Sequence, residues 1–370
     1  MERPVRVLHV CFGLGLGGTE KVMQALASGL DRDRFEPFVF SFADGPRRRQ
    51  LSASGVQVSI GKDLLRCLER LRPHVVHLHR AGWPEPGLLR PLRLTRVPVV
   101  VETNVFGRRD PSPQVQIIDR HLFVSHFCAS RYAAVEGIDT SGPRYGVLYN
   151  PVDTDCYECH TPAQPWGQPI FGRISRADPG KWSHLALDIL PLLKRQIPNF
   201  IFRVIGGIPE AHEFVRAHGL DEQVQWLDPV ESDLELAGFY GSVCLLAHAN
   251  DTGESFGLTI AEAMASGLPV VTHPAAGLRD NAQLELVEHG KTGLVAGSAE
   301  EYAGAVARLL TNPDEARAMG QRGRDKARRL FREQAIVSQV ENIYLELLEA
   351  KLGPEAVSDL RRNEAQHVER

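Results

Sequence analysis

The chain has 370 residues, too many for one ordinary hydrophobic core and suited to two domains. Its 43% hydrophobic and 24% charged residues exclude wholesale disorder, and no apolar run approaches the roughly 20 residues of a membrane-spanning helix. The net charge of −4 hides a basic half, because residues 1–150 hold 21 Lys and Arg against 14 Asp and Glu, whereas residues 151–370 hold 21 against 32.

The basic half favours an anionic partner or a membrane surface, and a solvated arginine-rich surface is the alternative. The first residues, MERPVRVLHVCFGLG, lack the apolar region and cleavage site of a signal peptide. We therefore expect a cytoplasmic protein, with contact to the inner face of a membrane as a further option.

Strand-like runs alternate with helical stretches along the first half of the chain. The predicted strands are VRVLHVCF, FEPFVFSF, HVVHLH, VPVVVET and HLFVSH, with a helix over 19–30 after the first. The alternation restarts after residue 168 with PIFGRI, FIFRVIGG, VQWL, VCLLAHA, LPVVTH and TGLVAG. This order predicts an α/β fold with parallel sheets, whose ligands bind at the carboxyl ends of the strands.

The predicted boundaries follow from where the alternation pauses. Residues 1–150 and 169–330 form two α/β domains, with a cleft between them as the expected active site. Residues 151–168, rich in proline and turn formers, read as a linker. A C-terminal helix over 331–352 and a polar tail over 353–370 complete the chain.

The first predicted strand runs into a glycine-rich loop, GLGLGG, at Gly13–Gly18. The loop satisfies G-x-G-x-x-G, which lets the backbone approach a phosphate at a helix N-terminus. A dinucleotide site also needs an acidic residue after the second strand, and Asp44 is the nearest candidate. A phosphate loop and a tight turn without a ligand both remain open.

The segment ESFGLTIAE carries Glu254 and Glu262 around a predicted helix start. The amides of Phe256, Gly257 and Leu258 lack helical partners there and favour a phosphate oxygen. Carboxylates beside a phosphate repel it unless they have partners of their own, and sugar hydroxyls are suitable donors. This layout indicates a ligand with a diphosphate between two polyols, as in a nucleoside diphosphate sugar.

Fixed positive charge for that diphosphate comes from GRISRADPGKW, directly after the first strand of the second domain. Its cations are Arg173, Arg176 and Lys181. Arginine binds phosphate through a planar fork, and lysine acts as a mobile point charge. The alternative is that these are surface cations and that the two glutamates only complement the helix dipole.

Four segments of the chain resemble the family 4 retaining glycosyltransferases. They are GLGGTE, NPVDTDCY with Pro151 where the family has glycine, GRISRADPGKW with wider spacing than usual, and ESFGLTIAEAMASGLPVV with its paired glutamates. The resemblance covers most of residues 5–345. It implies the GT-B architecture, two facing Rossmann-like domains, with the acceptor on the N-terminal side and the donor on the C-terminal side.

The resemblance also implies roles for single residues. Glu254 holds the hydroxyls of the donor sugar, Glu262 holds the ribose, and Asp228–Pro229 lies near the base. The diphosphate is bound by Arg173, Lys181 and the amides at Phe256, Gly257 and Leu258. In the first domain, Gly17 and Gly18 allow close approach to the donor phosphate or the acceptor.

One position departs from the family's pattern. Asn104 stands after VPVVVET where family members often have histidine, and asparagine binds a sugar hydroxyl but carries no proton at neutral pH. It is kept as a catalytic candidate beside Glu254, Arg173 and Lys181. His77 and His79, expected at the end of the preceding strand, are acceptor-side candidates, with a structural role as the alternative.

We predict no metal and no cofactor, because lysine and arginine already supply positive charge to the phosphates. The D-x-D match at Asp153–Asp155 falls in the linker and is interpreted as incidental. The predicted function is retaining transfer of a sugar, in cell-surface glycan or glycolipid synthesis, to a glycan, lipid-linked or small-molecule acceptor, with no nucleic-acid partner. The alternatives are an NAD(P)-dependent oxidoreductase using Gly13–Gly18 and a non-catalytic sugar-nucleotide-binding subunit.

Overall fold

The computed structural model describes residues 4–277 and 279–354. The chain divides into two compact units. Unit 1 joins the residues up to Pro151 with those from Glu333 onwards, and unit 2 is Val152–Arg332. Most of the predicted polar tail, residues 355–370, lies outside the described part of the chain.

Unit 1 is built on a parallel sheet with the strand order β3-β2-β1-β4-β5-β6-β7. The strands are β1 (Val5–Cys11), β2 (Phe35–Ser41), β3 (Gln57–Ile60), β4 (Val75–Arg80), β5 (Val99–Asn104), β6 (Arg120–Phe123) and β7 (Tyr145–Val147). The helices between them are α1 (Gly18–Gly29), α2 (Arg47–Ala53), α3 (Leu64–Leu71), α4 (Pro86–Leu94) and α5 (His126–Glu136). A 3-10 turn covers Pro113–Ile117.

Unit 2 has a second parallel sheet with the order β10-β9-β8-β11-β12-β13. Its strands are β8 (Ile170–Ile174), β9 (Ile201–Ile205), β10 (Val224–Leu227), β11 (Leu246–Ala247), β12 (Val270–Thr272) and β13 (Gly293–Val295). Its helices are α6 (Thr154–His160), α7 (Leu185–Gln196), α8 (Pro209–Ala217), α9 (Asp233–Gly241), α10 (Leu258–Ala265), α11 (Gln283–Leu286), α12 (Ala299–Thr311) and α13 (Pro313–Leu330). A 3-10 turn covers Pro179–Lys181.

Central strands are buried almost throughout, as expected for a parallel sheet. Every residue of β4 and β5 is buried, including polar ones. The edge strands β3 and β7 contain no fully buried residue, which explains why no apolar run marked them in the sequence. The predicted α/β class and the two Rossmann-like units are confirmed by the two parallel sheets.

The last helix, α14 (Glu333–Leu352), belongs to unit 1. Glu341 accepts a hydrogen bond of 2.7 Å from the Asp31 amide, and the Tyr344 hydroxyl lies 2.5 Å from His77 Nδ1. The chain is not helical at Arg332, where it forms a β-bridge with Val152. This bridge separates α13 from α14, although the sequence reads as nearly continuous helix.

The segment expected to be an irregular linker contains α6. The Asp153 carboxylate caps this helix by accepting from the Cys156 amide at 2.9 Å, and Asp155 forms an ion pair of 2.7 Å with Arg332. Both acidic residues of the D-x-D match therefore have structural partners. In the described part of the chain, no helix is both long and apolar enough to cross a membrane.

Candidate active site

The site is built where β11 ends and α10 begins, at the carboxyl edge of the unit 2 sheet. Gly257 precedes α10 with φ of +101°, a backbone conformation that side chains with a Cβ rarely adopt. A Cβ added to Gly257 would lie 3.6 Å from the Cβ of Glu254, so the Glu254 side chain stands directly beside the helix start. Within the described residues, the amides of Gly257 and Leu258 have no hydrogen-bond partner.

Those amides favour an anion, because the positive end of the helix dipole and two unused N–H groups coincide there. The helix has eight residues, and the six from Ile260 to Ala265 are buried, which fixes its direction. Phe256 is buried and packs edge-on against Phe331. The predicted cluster of Phe256, Gly257 and Leu258 is therefore held rigidly at the sheet edge.

Glu254 is surrounded by donors. Its Oε1 lies 3.2 Å from Lys181 Nζ, 2.8 Å from Asn250 Nδ2 and 3.4 Å from His248 Nε2. Burial raises the pKa of this carboxyl, but the His248 hydrogen bond and the Lys181 charge outweigh burial and lower the pKa to about 2. Glu254 is therefore an ionised hydrogen-bond acceptor at any pH near neutrality.

A second layer of polar side chains fixes this arrangement. His273 Nε2 accepts from the Asn250 amide at 3.0 Å, and its Nδ1 donates to the Pro274 carbonyl at 3.0 Å. These two bonds require the neutral ring, and burial lowers the pKa of His273 accordingly. Gln283 accepts from the Glu254 amide and donates to the His273 carbonyl, both at 3.1 Å.

The sequence analysis did not identify His248, Asn250, His273 and Gln283. His248 and His273 directly follow β11 and β12, and Asn250 comes two residues after His248, so polar residues at the carboxyl ends of adjacent buried strands were the available signal. Gln283 lies 29 residues beyond Glu254, and only the folded chain shows that they meet.

Arg173 does not extend into solvent as a phosphate-binding fork. It is buried, stacks over Trp182 with its guanidinium 4.3 Å from the ring centroid, and donates to the Ala249 carbonyl at 2.7 Å and to the Lys181 carbonyl. Burial lowers its pKa to about 10. Two of its N–H groups thus position the backbone beside Lys181 and the loop of Glu254.

Glu262 lies one helical turn inside α10 and is buried. Its carboxylate accepts from the Tyr240 hydroxyl at 3.1 Å, and Tyr240 also lies 3.2 Å from the Thr259 carbonyl. Asp228 and Pro229 follow β10 and are exposed. Both positions lie in unit 2, as predicted, and their roles toward ribose and base stay predictions.

In unit 1, Gly17 precedes α1 and Gly18 is its first residue. A Cβ at Gly17 would lie 2.3 Å from Glu20 Oε2, so a carboxylate already occupies the space over this loop. A dinucleotide pyrophosphate there would meet that negative charge. The geometry therefore weighs against the oxidoreductase alternative.

Asn104 ends β5, and its side chain closes the following loop. Its amide nitrogen donates to the Arg108 carbonyl at 2.7 Å, and its oxygen accepts from the Arg108 amide at 3.2 Å. Asn104 is buried. A catalytic role stays a prediction, and the structure assigns the amide a structural one.

His77 and His79 lie near the end of β4, as expected, but they are not accessible, and their acceptor-side role stays a prediction. Both lie inside β4 and are buried, and His77 Nε2 is hydrogen-bonded to Thr103 at 2.8 Å. His79 Nε2 lies 3.0 Å from His9 Nδ1 on the neighbouring strand. The cause is α14, whose Tyr344 contacts His77 although it lies 267 residues away in sequence.

Comparisons with known proteins show the family of this chain. A sequence model described as Glycosyl transferases group 1 matches residues 162–326, and one described as Glycosyltransferase Family 4 matches residues 16–156. The chain belongs to glycosyltransferase family 4. The two matches fall on different units, so most of this family 4 chain is covered.

Two curated relatives illustrate the family. The GDP-mannose-dependent alpha-(1-6)-phosphatidylinositol monomannoside mannosyltransferase of Mycobacterium tuberculosis is 30% identical over 223 residues, which is 55% of each chain. This family 4 chain thus matches about half the length of that relative. The D-inositol 3-phosphate glycosyltransferase of Corynebacterium aurimucosum is 27% identical over 78% of this chain and 75% of that protein.

Solved structures share the fold. A glycosyltransferase from Rickettsia africae superposes with a TM-score of 0.79 at 17% identity, covering 94% of this chain and 99% of that one. Anabaena HepE in complex with UDP and glucose gives 0.73 at 20% identity, covering 91% and 98%. At these identities the likeness supports the GT-B fold of this family 4 chain, not a particular donor.

Proposed function

We propose that this chain is a glycosyltransferase that moves a sugar from a nucleoside diphosphate sugar to an acceptor hydroxyl. The observation that carries the proposal is the group at the start of α10. The Glu254 carboxylate lies 3.2 Å from the Lys181 ammonium and stands beside Gly257. The amides of Gly257 and Leu258 have no partner among the residues that the structure describes. Anion-binding and hydroxyl-binding groups thus adjoin.

The diphosphate would be bound by Lys181 and the helix amides, and the donor sugar by Glu254. Lys181 and Glu254 are both partly exposed, at 28% and 17% of their side chains, so ligand can reach them. Lys181 also neutralises the charge of Glu254, so this carboxylate can lie beside a bound phosphate without strong repulsion. Arg173 would act through the backbone it holds, Glu262 toward the ribose and Asp228 toward the base.

We propose that transfer retains the anomeric configuration. The bond from the acceptor oxygen to the anomeric carbon forms on the face from which the diphosphate departs, and a departing phosphate oxygen takes the acceptor proton. Glu254 is unsuited to proton transfer, since its pKa is held near 2. Lys181 and the amides stabilise the leaving diphosphate and lower the activation free energy by roughly 3 kcal/mol. We propose that no metal or cofactor takes part.

Binding experiments can identify the base and the sugar of the donor. The relatives' names include GDP-mannose, and a neighbouring structure holds UDP and glucose. A relative named for a phosphatidylinositol mannoside, and another named as an exopolysaccharide phosphotransferase, support a role in cell-surface glycan or glycolipid synthesis. A thermal-shift panel of UDP, GDP, ADP and their sugars compares the three bases, because a ligand that binds the folded state raises its stability.

The nucleotide that stabilises the wild type should raise the melting temperature of the control Lys291→Ala equally, because Lys291 is a surface lysine that is 72% exposed. The same nucleotide should raise the melting temperature of Lys181→Ala far less. No stabilisation by any nucleotide would contradict the proposal, and stabilisation by NADH alone would favour the oxidoreductase. Stabilisation without hydrolysis or transfer would identify a non-catalytic binding subunit.

Peripheral membrane contact is a further part of the proposal. Helices α3 and α4 carry exposed arginines at 66, 70, 90 and 93, and Leu94 is 60% exposed. A surface with these residues suits anionic lipid headgroups. The excess of basic residues in the first half of the chain would then serve contact with the inner face of a membrane. Equal sedimentation with anionic and neutral vesicles at low salt would contradict it.

A further inference from the structure

Large apolar side chains are exposed along the carboxyl edge of the unit 1 sheet. Phe12 and Leu16 follow β1, Trp83 follows β4 and Phe106 follows β5, with exposed fractions of 51%, 41%, 51% and 40%. These strands are consecutive in the order β1-β4-β5. Since neighbouring strands lie about 4.8 Å apart, the three loops share one short stretch of the edge.

Each of these loops is tied down by a buried arginine. Arg47 Nε donates to the Gly15 carbonyl at 3.0 Å, Arg80 donates to the Trp83 carbonyl at 2.8 Å, and Arg131 donates to the Phe106 carbonyl. All three arginines are buried. Exposed apolar side chains on immobilised backbone lose little entropy on binding, which is the arrangement of a binding surface.

Three acidic groups at this edge are already paired, and a fourth, Glu20, lies over the Gly17 loop. Asp44 is 2.9 Å from Arg48, while Glu85 and Asp110 are 3.3 and 3.1 Å from Arg80. The Asn104 amide is used by the Arg108 backbone, as described above. Few polar groups therefore remain here to read the hydroxyls of a glycan.

Positive charge stays available at the same place. Arg49, in the first turn of α2, is exposed and forms no ion pair within the described residues. The Arg108 guanidinium lies 5.6 Å from the centroid of the Trp83 ring, and its Nε has no hydrogen-bond partner among the described residues. The edge thus combines apolar surface with cations that suit a phosphate.

We infer that this edge binds the acceptor and that the acceptor is a lipid phosphate, an apolar chain carrying a phosphate group next to the portion that is glycosylated. Aromatic rings alone would also suit a sugar face, but Leu16 offers none of that stacking, and the paired carboxylates disfavour hydroxyl recognition. The inference rests on the proposed transfer function and names its acceptor class.

Decyl phosphate, used below its micellar concentration, is the probe, and isothermal titration calorimetry on the full chain measures its binding. Trp83→Ser and Phe106→Ser should each weaken binding about fivefold or more, as truncating a buried aromatic anchor does. Val135→Ser is the control, since Val135 is 52% exposed but lies on α5. Arg108→Gln should weaken binding and reduce its salt dependence, unlike Arg216→Gln on α8 of unit 2.

Decanol and inorganic phosphate should each bind more weakly than decyl phosphate, because each satisfies only half of the surface. Equal affinity of the edge variants and Val135→Ser for decyl phosphate would overturn the inference, as would maltohexaose binding in its place. Nucleotide-induced thermal shifts of the same variants separate the two proposals. Retained nucleotide binding with no alkyl phosphate binding would refute the lipid acceptor alone.

Discussion

Acid should remove more unfolding free energy from the wild-type chain than from Glu254→Gln. In the folded chain, burial raises the pKa of Glu254, yet His248 and Lys181 lower it from 4.5 to about 2. The folded state therefore holds this proton less tightly than the unfolded state. Its stabilising contribution is fully present above pH 4.5 and is lost as the pH falls towards 2.

The magnitude follows from the size of the shift. One pKa unit corresponds to about 1.4 kcal/mol, so a shift from 4.5 to about 2 contributes about 3 kcal/mol near neutral pH. About 2 kcal/mol of this is lost between pH 5 and pH 3. Glutamine does not titrate, so the variant lacks this loss while the other carboxyl groups are shared.

Urea unfolding at pH 5, 4 and 3 measures the effect. Tryptophan fluorescence reports mainly on unit 2, which contains Trp166, Trp182 and Trp226, whereas Trp83 of unit 1 is already half exposed. The free-energy difference between wild type and Glu254→Gln should shrink by about 2 kcal/mol over this range. Parallel pH dependences would refute the claim that Lys181 and its neighbours hold Glu254 ionised.

Three further changes test the surrounding groups. Lys181→Ala should weaken nucleoside diphosphate binding at least tenfold, with Lys181→Arg in between, and isothermal titration calorimetry would expose an unchanged affinity. Gln283→Leu should destabilise the chain by about 3 kcal/mol, because it leaves the buried His273 carbonyl and the part-buried Glu254 amide unpaired, whereas exposed Gln321→Ala should not; equal urea midpoints would contradict this. Asn104→Ala should cost about 1–2 kcal/mol and speed hydrogen exchange over residues 105–108 without loss of nucleotide binding. Lost transfer with unchanged melting would instead make Asn104 catalytic.

The sequence was sufficient for the parts of the site that depend on local pattern. A strand, a glycine turn and a helix start around Glu254 are local features, and the structure has them at β11, Gly257 and α10. The sequence assigned Lys181 and Glu254 to one ligand because each follows a strand of the second domain. Their direct contact follows from the adjacency of β8 and β11 in the sheet, which the sequence analysis did not predict.

Long-range packing explains what the sequence did not reveal. Arg173 was expected to bind phosphate, but the neighbouring Trp182 and the Ala249 carbonyl hold it in the interior. His77 and His79 alternate along β4 and so share one face, which α14 covers from the far end of the chain. No spacing within HVVHLH carries that information.

The central claim is that Glu254 binds the sugar of the donor while Lys181 and the α10 amides bind its diphosphate. Titration calorimetry of wild type and Glu254→Gln, with the matched nucleoside diphosphate and with its sugar conjugate, tests this division most directly. Unchanged affinity for the diphosphate together with weaker binding of the sugar conjugate is the predicted result. An equal loss for both ligands, or no loss for either, would contradict the account.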